Sequence, residues 1–267
     1  MNFSHNSGII RSIILLFFLA LSLSKAYSLS SDSSKVRRWY GLRLTLYDAK
    51  EKNQILQGIN IGLVKSKLKK TNGISLGVLG NRDGFINGLS YGTFINNSRK
   101  VNGLLYSPLL AGAKEVNGIA WGGFLTYSKK INGFLVGLFA EGGVVNGVSL
   151  SLGVGTDTMT GIALSMGQSS INAKGIFIAG CAFVKPKRGV NSSLTGAAAA
   201  AFIHVDHVEG LTVGAATISK RHTGIAVGVI NVTQNLYGIQ IGALNYAGNN
   251  RWPFRLLPLV NVHLKKE

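Results

Sequence analysis

Val116-Asn117-Gly118-Ile119-Ala120-Trp121 returns fifteen residues later as Ile131-Asn132-Gly133-Phe134-Leu135-Val136, and again as Val145-Asn146-Gly147-Val148-Ser149-Leu150. Outward from this stretch, thirteen glycines from Gly58 to Gly238 stand at intervals of 15, 15, 15, 15, 15, 14, 14, 14, 21, 14, 14 and 14 residues. A fixed period of this length marks a chain built from one small structural unit stacked on itself. With the lead glycine as position 0, positions +1 and +3 are apolar in nearly every unit, as in Ile59 and Ile61, Ile162 and Leu164, or Ile225 and Val227. Position +2 is small or polar: Asn60, Ser75, Ser90, Ala120, Ser149, Ala163 and Gln240. That alternation is the period of a strand with one buried face. Position −2 is also apolar, in Ile86, Val101, Val116, Ile131 and Val145. Asparagine precedes the glycine at 72, 87, 102, 117, 132 and 146, and Asn-Gly is a strong turn signal. The periodicity predicts an all-β protein.

Two architectures use such a unit. In a parallel β-solenoid, or β-roll, each 14–15-residue unit is one coil, and glycine and asparagine form ladders at a corner that every coil must turn. In an antiparallel β-barrel of the outer-membrane type, each unit is a strand and a tight turn. Small residues at 0, +2 and +4 then line a lumen while +1 and +3 face lipid. The uniformly short turns, and a C-terminus of Leu264-Lys265-Lys266-Glu267 rather than an aromatic residue, favour the roll. Boundaries follow from the repeat: 1–26 a signal peptide, 27–54 a linker and capping strand, 55–246 the repeats, 247–267 a C-terminal cap. Within the linker, Trp39 to Tyr47 alternates as a strand. In the unit after Gly196, Ala197 to Ala201 replace bulky core residues, so the body is expected to narrow there.

The first 26 residues read as a targeting segment. Arg11 leads into the apolar run Ile13 to Leu21, and Ser24-Lys25-Ala26 supplies small residues for cleavage. Export to the cell surface, the outer membrane or the medium is the expectation. The run is too short to span a bilayer as a helix. Removing residues 1–26 takes away Arg11 and Lys25 and no acid, lowering the net charge from +18 to +16. An exported protein this basic is expected to adhere to anionic surfaces, whereas nucleic acid is not an expected partner because nothing resembles a recognition helix. Cys181 alone excludes an intramolecular disulfide framework and, in the apolar stretch Ile176 to Phe183, is expected to be a buried small hydrophobe.

The C-terminal units Gly224-Ile-Ala-Val-Gly-Val-Ile-Asn231 and Gly238-Ile-Gln-Ile-Gly-Ala-Leu-Asn245, followed by Trp-Pro-Phe-Arg-Leu-Leu-Pro-Leu-Val-Asn-Val, resemble a family of bacterial surface repeat proteins found in spirochaetes. The resemblance covers about residues 55–264 and implies an exported, surface-associated protein of no assigned biochemical role. Some members look like lipoproteins, and this chain lacks a cysteine near the cleavage site. The unit length is also similar to that of the left-handed rolls in trimeric adhesin heads, an analogy of shape alone.

Functional residues are sought among the cations. Lys69-Lys70, Arg99-Lys100, Lys129-Lys130 and Lys220-Arg221 all stand at −4 and −3, with Lys114 at −4. Stacked in a roll they form one edge, reinforced by Lys65, Lys67 and the excursion Lys185, Lys187 and Arg188. Such an edge suits an anionic surface polymer, a glycan or lipopolysaccharide, or an anionic lipid. It equally serves to block aggregation of a sheet-rich body. His204, Asp206, His207 and His222 lie close in sequence, but His207 and His222 are one residue out of phase, so no metal site is expected. Gly153 and Gly155 imitate part of a phosphate loop with no helix after them. The threonines share no repeat phase, which argues against an ice-binding face. No catalytic constellation or cofactor motif stands out, and the expectation is a non-catalytic surface protein acting in adhesion or envelope contact.

Overall fold

The structure, a computed structural model, describes residues 36–48, 52–184 and 190–264. The signal peptide and Lys185, Lys187 and Arg188 lie outside the described residues. The chain is a parallel β-solenoid of 14–15 residues per coil. Strands β1 (Arg37–Tyr47), β2 (Lys52–Ser66), β3 (Leu68–Gly77), β4 (Gly80–Asn81), β5 (Phe85–Gly92), β6 (Ile95–Ser107), β7 (Leu110–Val184), β8 (Ser193–His204) and β9 (His207–Ala247) run through the stack. β10 (Leu256–His263) closes it. Pairing is parallel from β1 to β9, which excludes the antiparallel barrel.

The register is set by the glycines. Gly41 lies opposite Gly58, Gly58 opposite Gly73, and so on through Gly88, Gly103 and Gly118; Gly175, Gly196 and Gly210 continue the same row. β1 is therefore a further coil in phase with the repeat, and the row holds fourteen glycines, each at positive φ. At Gly133 the need is double: φ is 135°, and an added Cβ would overlap the carbonyl oxygen of Gly118 in the coil below. The Asn-Gly pairs do not make hairpin turns. The asparagines keep negative φ, the strand bends at the glycine and carries on, and each asparagine side chain bonds the next coil. Nδ2 of Asn87, Asn102, Asn117 and Asn132 donates to Oδ1 of the preceding asparagine at 2.8 Å, and Asn146 does so at 3.0 Å.

Alternation is as the sequence requires, but the faces are exchanged. Position +2 points inward: Ser75, Ala120, Leu135, Ala163 and Ala226 are fully buried. Positions +1 and +3 point outward, as Ile119, Trp121, Phe134, Ile162 and Leu164 show. This is the facing expected of the barrel, carried by a solenoid. The reason is volume. A ring of 14–15 residues turned on itself must hold −2, +2, +4 and two residues of its return stretch, so most of those places admit only small side chains. Ala197 and Ala199 accordingly thin the outer surface and not the core, while Ala198 and Ala200 are the buried pair. The small Ala163 and Ala198 make room in the coil between them for Phe177, whose ring meets Phe183 edge-on at 5.6 Å. Cys181 corrects the sequence reading as well: it is exposed at the outer corner.

The core has an apolar spine through its middle, interspersed with buried Thr126, Ser149, Thr156 and Gln168, and hydrogen-bonded polar networks at both ends. The −2 row (Ile86, Val101, Val116, Ile131, Val145, Met159) gives the central coils their hydrophobic spine. Towards the N-terminus, buried Arg43 forms a two-pronged ion pair with Asp48 (2.8 and 3.0 Å) and donates to Asn60. The chain continues through Ser66, Ser75 and Asp83 to Asn81, Ser90 and Asn96. Burial pushes the Asp83 carboxyl above the usual range, against the bonds it accepts from Ser75, the Leu68 amide and Ser66 and the charge of Arg43. At the other end Asn231 donates to Asn245, and Asn250 to Asn261 of the capping strand. β10 lies antiparallel on the last coil, Val260 opposite Ile241 and His263 opposite Gly238. A coil with a neighbour on one side only is close to water, and hydrogen-bonding groups suit that place better than apolar ones, although Asn81 Oδ1, Asn231 Oδ1 and Gln240 Oε1 lack a protein partner.

Candidate functional site

The coils turn sharply twice, at −4/−3 and at +5/+6, where in most of them consecutive residues reach the surface, and bend a third time at the glycine. The first of these turns carries the cations. In the −3 row Lys70 stands opposite Phe85, Phe85 opposite Lys100, and Lys100 opposite Glu115. Lys130 follows Glu115 in the next coil. In the −4 row the order is Lys69, Gly84, Arg99, Lys114 and Lys129. The two rows therefore bring Lys69, Lys70, Arg99, Lys100, Lys114, Lys129 and Lys130 onto one edge. Beyond Lys130 the same rows hold Gly143 and Val144, then Asp157 and Thr158, then Ile171 and Asn172. Lys220 and Arg221 are thus a separate cationic site near the C-terminal end, and the edge is not one continuous ridge.

Several of these cations already have partners. Lys100 Nζ lies 2.9 Å from Glu115, both about one-third exposed, and the hydrogen bond from Lys100 holds the Glu115 carboxyl below the usual range, with Lys130 adding to the effect. Lys69 Nζ donates to Asn53 Oδ1 at 3.0 Å. Lys220 pairs with buried Asp206 at 3.0 Å, and Arg221 covers the Tyr237 ring at 4.9 Å. Lys65 lies over the Tyr47 ring. Beside Lys65, Arg82 and the apolar Val64, Leu79 and Ile95 frame an open depression of about 330 Å³ that the sequence did not signal.

The histidines separate as their phase requires. His207 is exposed at −3, while His222 is fully buried at −2 in the place of a spine residue. Asp206 accepts bonds from the Ser192 amide and hydroxyl and holds a turn. Among the described residues no group of three or more His, Cys, Asp or Glu is placed to hold a metal.

The feature that sequence reasoning missed is the outer face from +1 to +6. In all fourteen coils, positions +1, +3, +5 and +6 carry no charged residue. Tyr91, Tyr106 and Trp121 stack in the +3 row with centroids 5.6 and 5.1 Å apart, and Phe124 meets Phe139 edge-on in the +6 row. The signal was present, since +1 and +3 are the most uniformly apolar positions of the repeat. Its direction was not, because period two does not say which face is inside.

In comparison with known proteins, no family model matches the chain, and no curated protein or solved structure does either.

Proposed function

We propose that this chain is an exported, non-catalytic surface scaffold whose basic edge holds an anionic polymer of the cell envelope or its surroundings. A glycan, a lipopolysaccharide, or an anionic lipid headgroup has the required charge. The observation that carries this reading is the convergence of Lys69, Lys70, Arg99, Lys114, Lys129 and Lys130 on one edge of a rigid stack. Coils about 4.8 Å apart set these charges in one line over five coils, interrupted at Gly84 and Phe85 and partly neutralised by Glu115, which suits a polyanion lying along the rod. The cations and the outward-facing apolar rows both run along the stack from coil to coil, which supports a working surface that is extended. The spirochaete surface-protein resemblance supports the same reading.

The test is binding of the full chain to a sulfated glycan across a salt series. Affinity should fall steeply as salt rises. Replacing Lys69, Lys70, Lys129 and Lys130 together with alanine should weaken binding by about tenfold or more at low salt. Binding indifferent to salt, or unchanged in that variant, overturns the proposal.

A further inference from the structure

The apolar outer face points to a partner, and its pattern says which one. We propose that two copies of this chain pack face to face and antiparallel through positions +1 to +6, about a two-fold axis between the coils headed by Gly133 and Gly147. The inference does not depend on the polyanion reading.

Area is the first argument. Fourteen coils at about 4.8 Å and a face about five residues wide give roughly 60 by 15 Å. Pairing two such faces buries roughly 1,800 Å² in total, the size of a stable specific interface. Exposed apolar surface on this scale is not left to water in a soluble protein.

Charge is the second. The face is centred near +3.5 and the cations near −3.5, half of a 14-residue circuit apart. Packing two faces together sends both basic edges outward, with no repulsion across the interface. A rod lying by the same face on an anionic bilayer would hold its cations away from the headgroups, which argues against lipid as the occupant.

Shape is the third. Bulky rings crowd the coils headed by Gly88 to Gly133: Tyr91, Tyr106, Trp121, Phe124 and Phe139. On this face the coils from Gly147 to Gly196 carry aliphatic side chains and gaps in place of rings, Phe202 excepted, with Gly153, Gly167 and Gly180 at the corner and Ala197 and Ala199 on the flat. A two-fold axis across the rod sets the first group on the second, row against row. Trp121, 48% exposed, then lies against Leu164 of the second copy, itself 41% exposed. Large aromatic anchors near the centre of a face are what interfaces use to fix a partner. A parallel arrangement would instead set ring-crowded coils on ring-crowded coils.

The experiment is sedimentation of the full chain at micromolar concentration, with β-type circular dichroism as the check on folding. Wild type should be a dimer. Trp121→Lys and Leu164→Glu should each be folded monomers. The double variant sets the introduced ammonium of one copy against the introduced carboxylate of the other, twice across the axis. It should dimerise at least about tenfold more tightly than either single variant. Leu150→Lys, beside the axis, replaces Trp121→Lys as the dissociating variant if that chain does not fold. A wild-type monomer overturns the proposal, and one that floats with phosphatidylcholine vesicles makes lipid the occupant. A dimer that Trp121→Lys leaves intact, or singles that the double variant does not rescue, overturns the antiparallel packing.

Discussion

His222 sits at −2, where its counterparts are Val101, Val116 and Ile131, and is buried as completely as they are. Burial lowers its pKa to about 4, with the Ile225 backbone opposing the shift, so the ring is neutral inside the folded chain. The unfolded chain binds the proton near pH 6.5 and the folded chain only near 4. Stability is therefore complete above about pH 6.5 and is lost as pH falls towards 4. Between pH 7.5 and 4.5 this one ring costs about 2–3 kcal/mol. His222→Leu should remove that loss, measured as urea unfolding free energies of both proteins at the two pH values. Equal pH dependence in the two would mean that the ring is hydrated in the fold. Asp83 works in the opposite sense, because a carboxyl raised by burial is better tolerated in the fold as pH falls.

At the scale of the element, the asparagine ladder gives each coil a bond to the next outside the core. Asn117 both donates to Asn102 and accepts from Asn132, whereas Asn72 accepts from Asn87 at the start of the row. Asn117→Ala should cost about 1–2 kcal/mol in thermal or urea unfolding, and Asn72→Ala about half as much. Equal costs would show that the ladder contributes through each residue's own turn and not through coil-to-coil bonding. The ladder, the glycine register and the −2 spine were legible because each depends on position within the repeat alone. The direction of +1 and +3 was not, because it depends on how many side chains a ring of this length can hold. Val101 and Leu105 are both large and both buried, yet the neighbouring places at +2 are Ser90 and Ala120. Hydrophobicity by itself therefore did not mark the inside. The basic edge was half legible. Phase put Lys129 and Lys220 in one row and, applied to Gly143, Asp157, Ile171, Ser192 and Asp206 between them, already showed that stretch to be empty of cations; the partners of Lys69, Lys100 and Lys220 were what it could not show.

For the whole molecule, the two surfaces have different reach. Paired through their apolar faces, two rods present two outward basic edges, and a polymer long enough to meet both is held with the gain of a second tethered contact. The in-register parallel stack has a further, mechanical consequence. Its strands run across the rod, and its hydrogen bonds lie along it, so tension applied between the ends opens coils one rung at a time. Each rung releases 14 or 15 residues, about 50 Å of extended chain, and the 21-residue interval between Gly175 and Gly196 releases about 70 Å. Nearest-neighbour coupling makes those releases separate events. Pulled between its ends in a force spectrometer, the protein should lengthen as a staircase with one tall step, unwinding like rope from a spool under load.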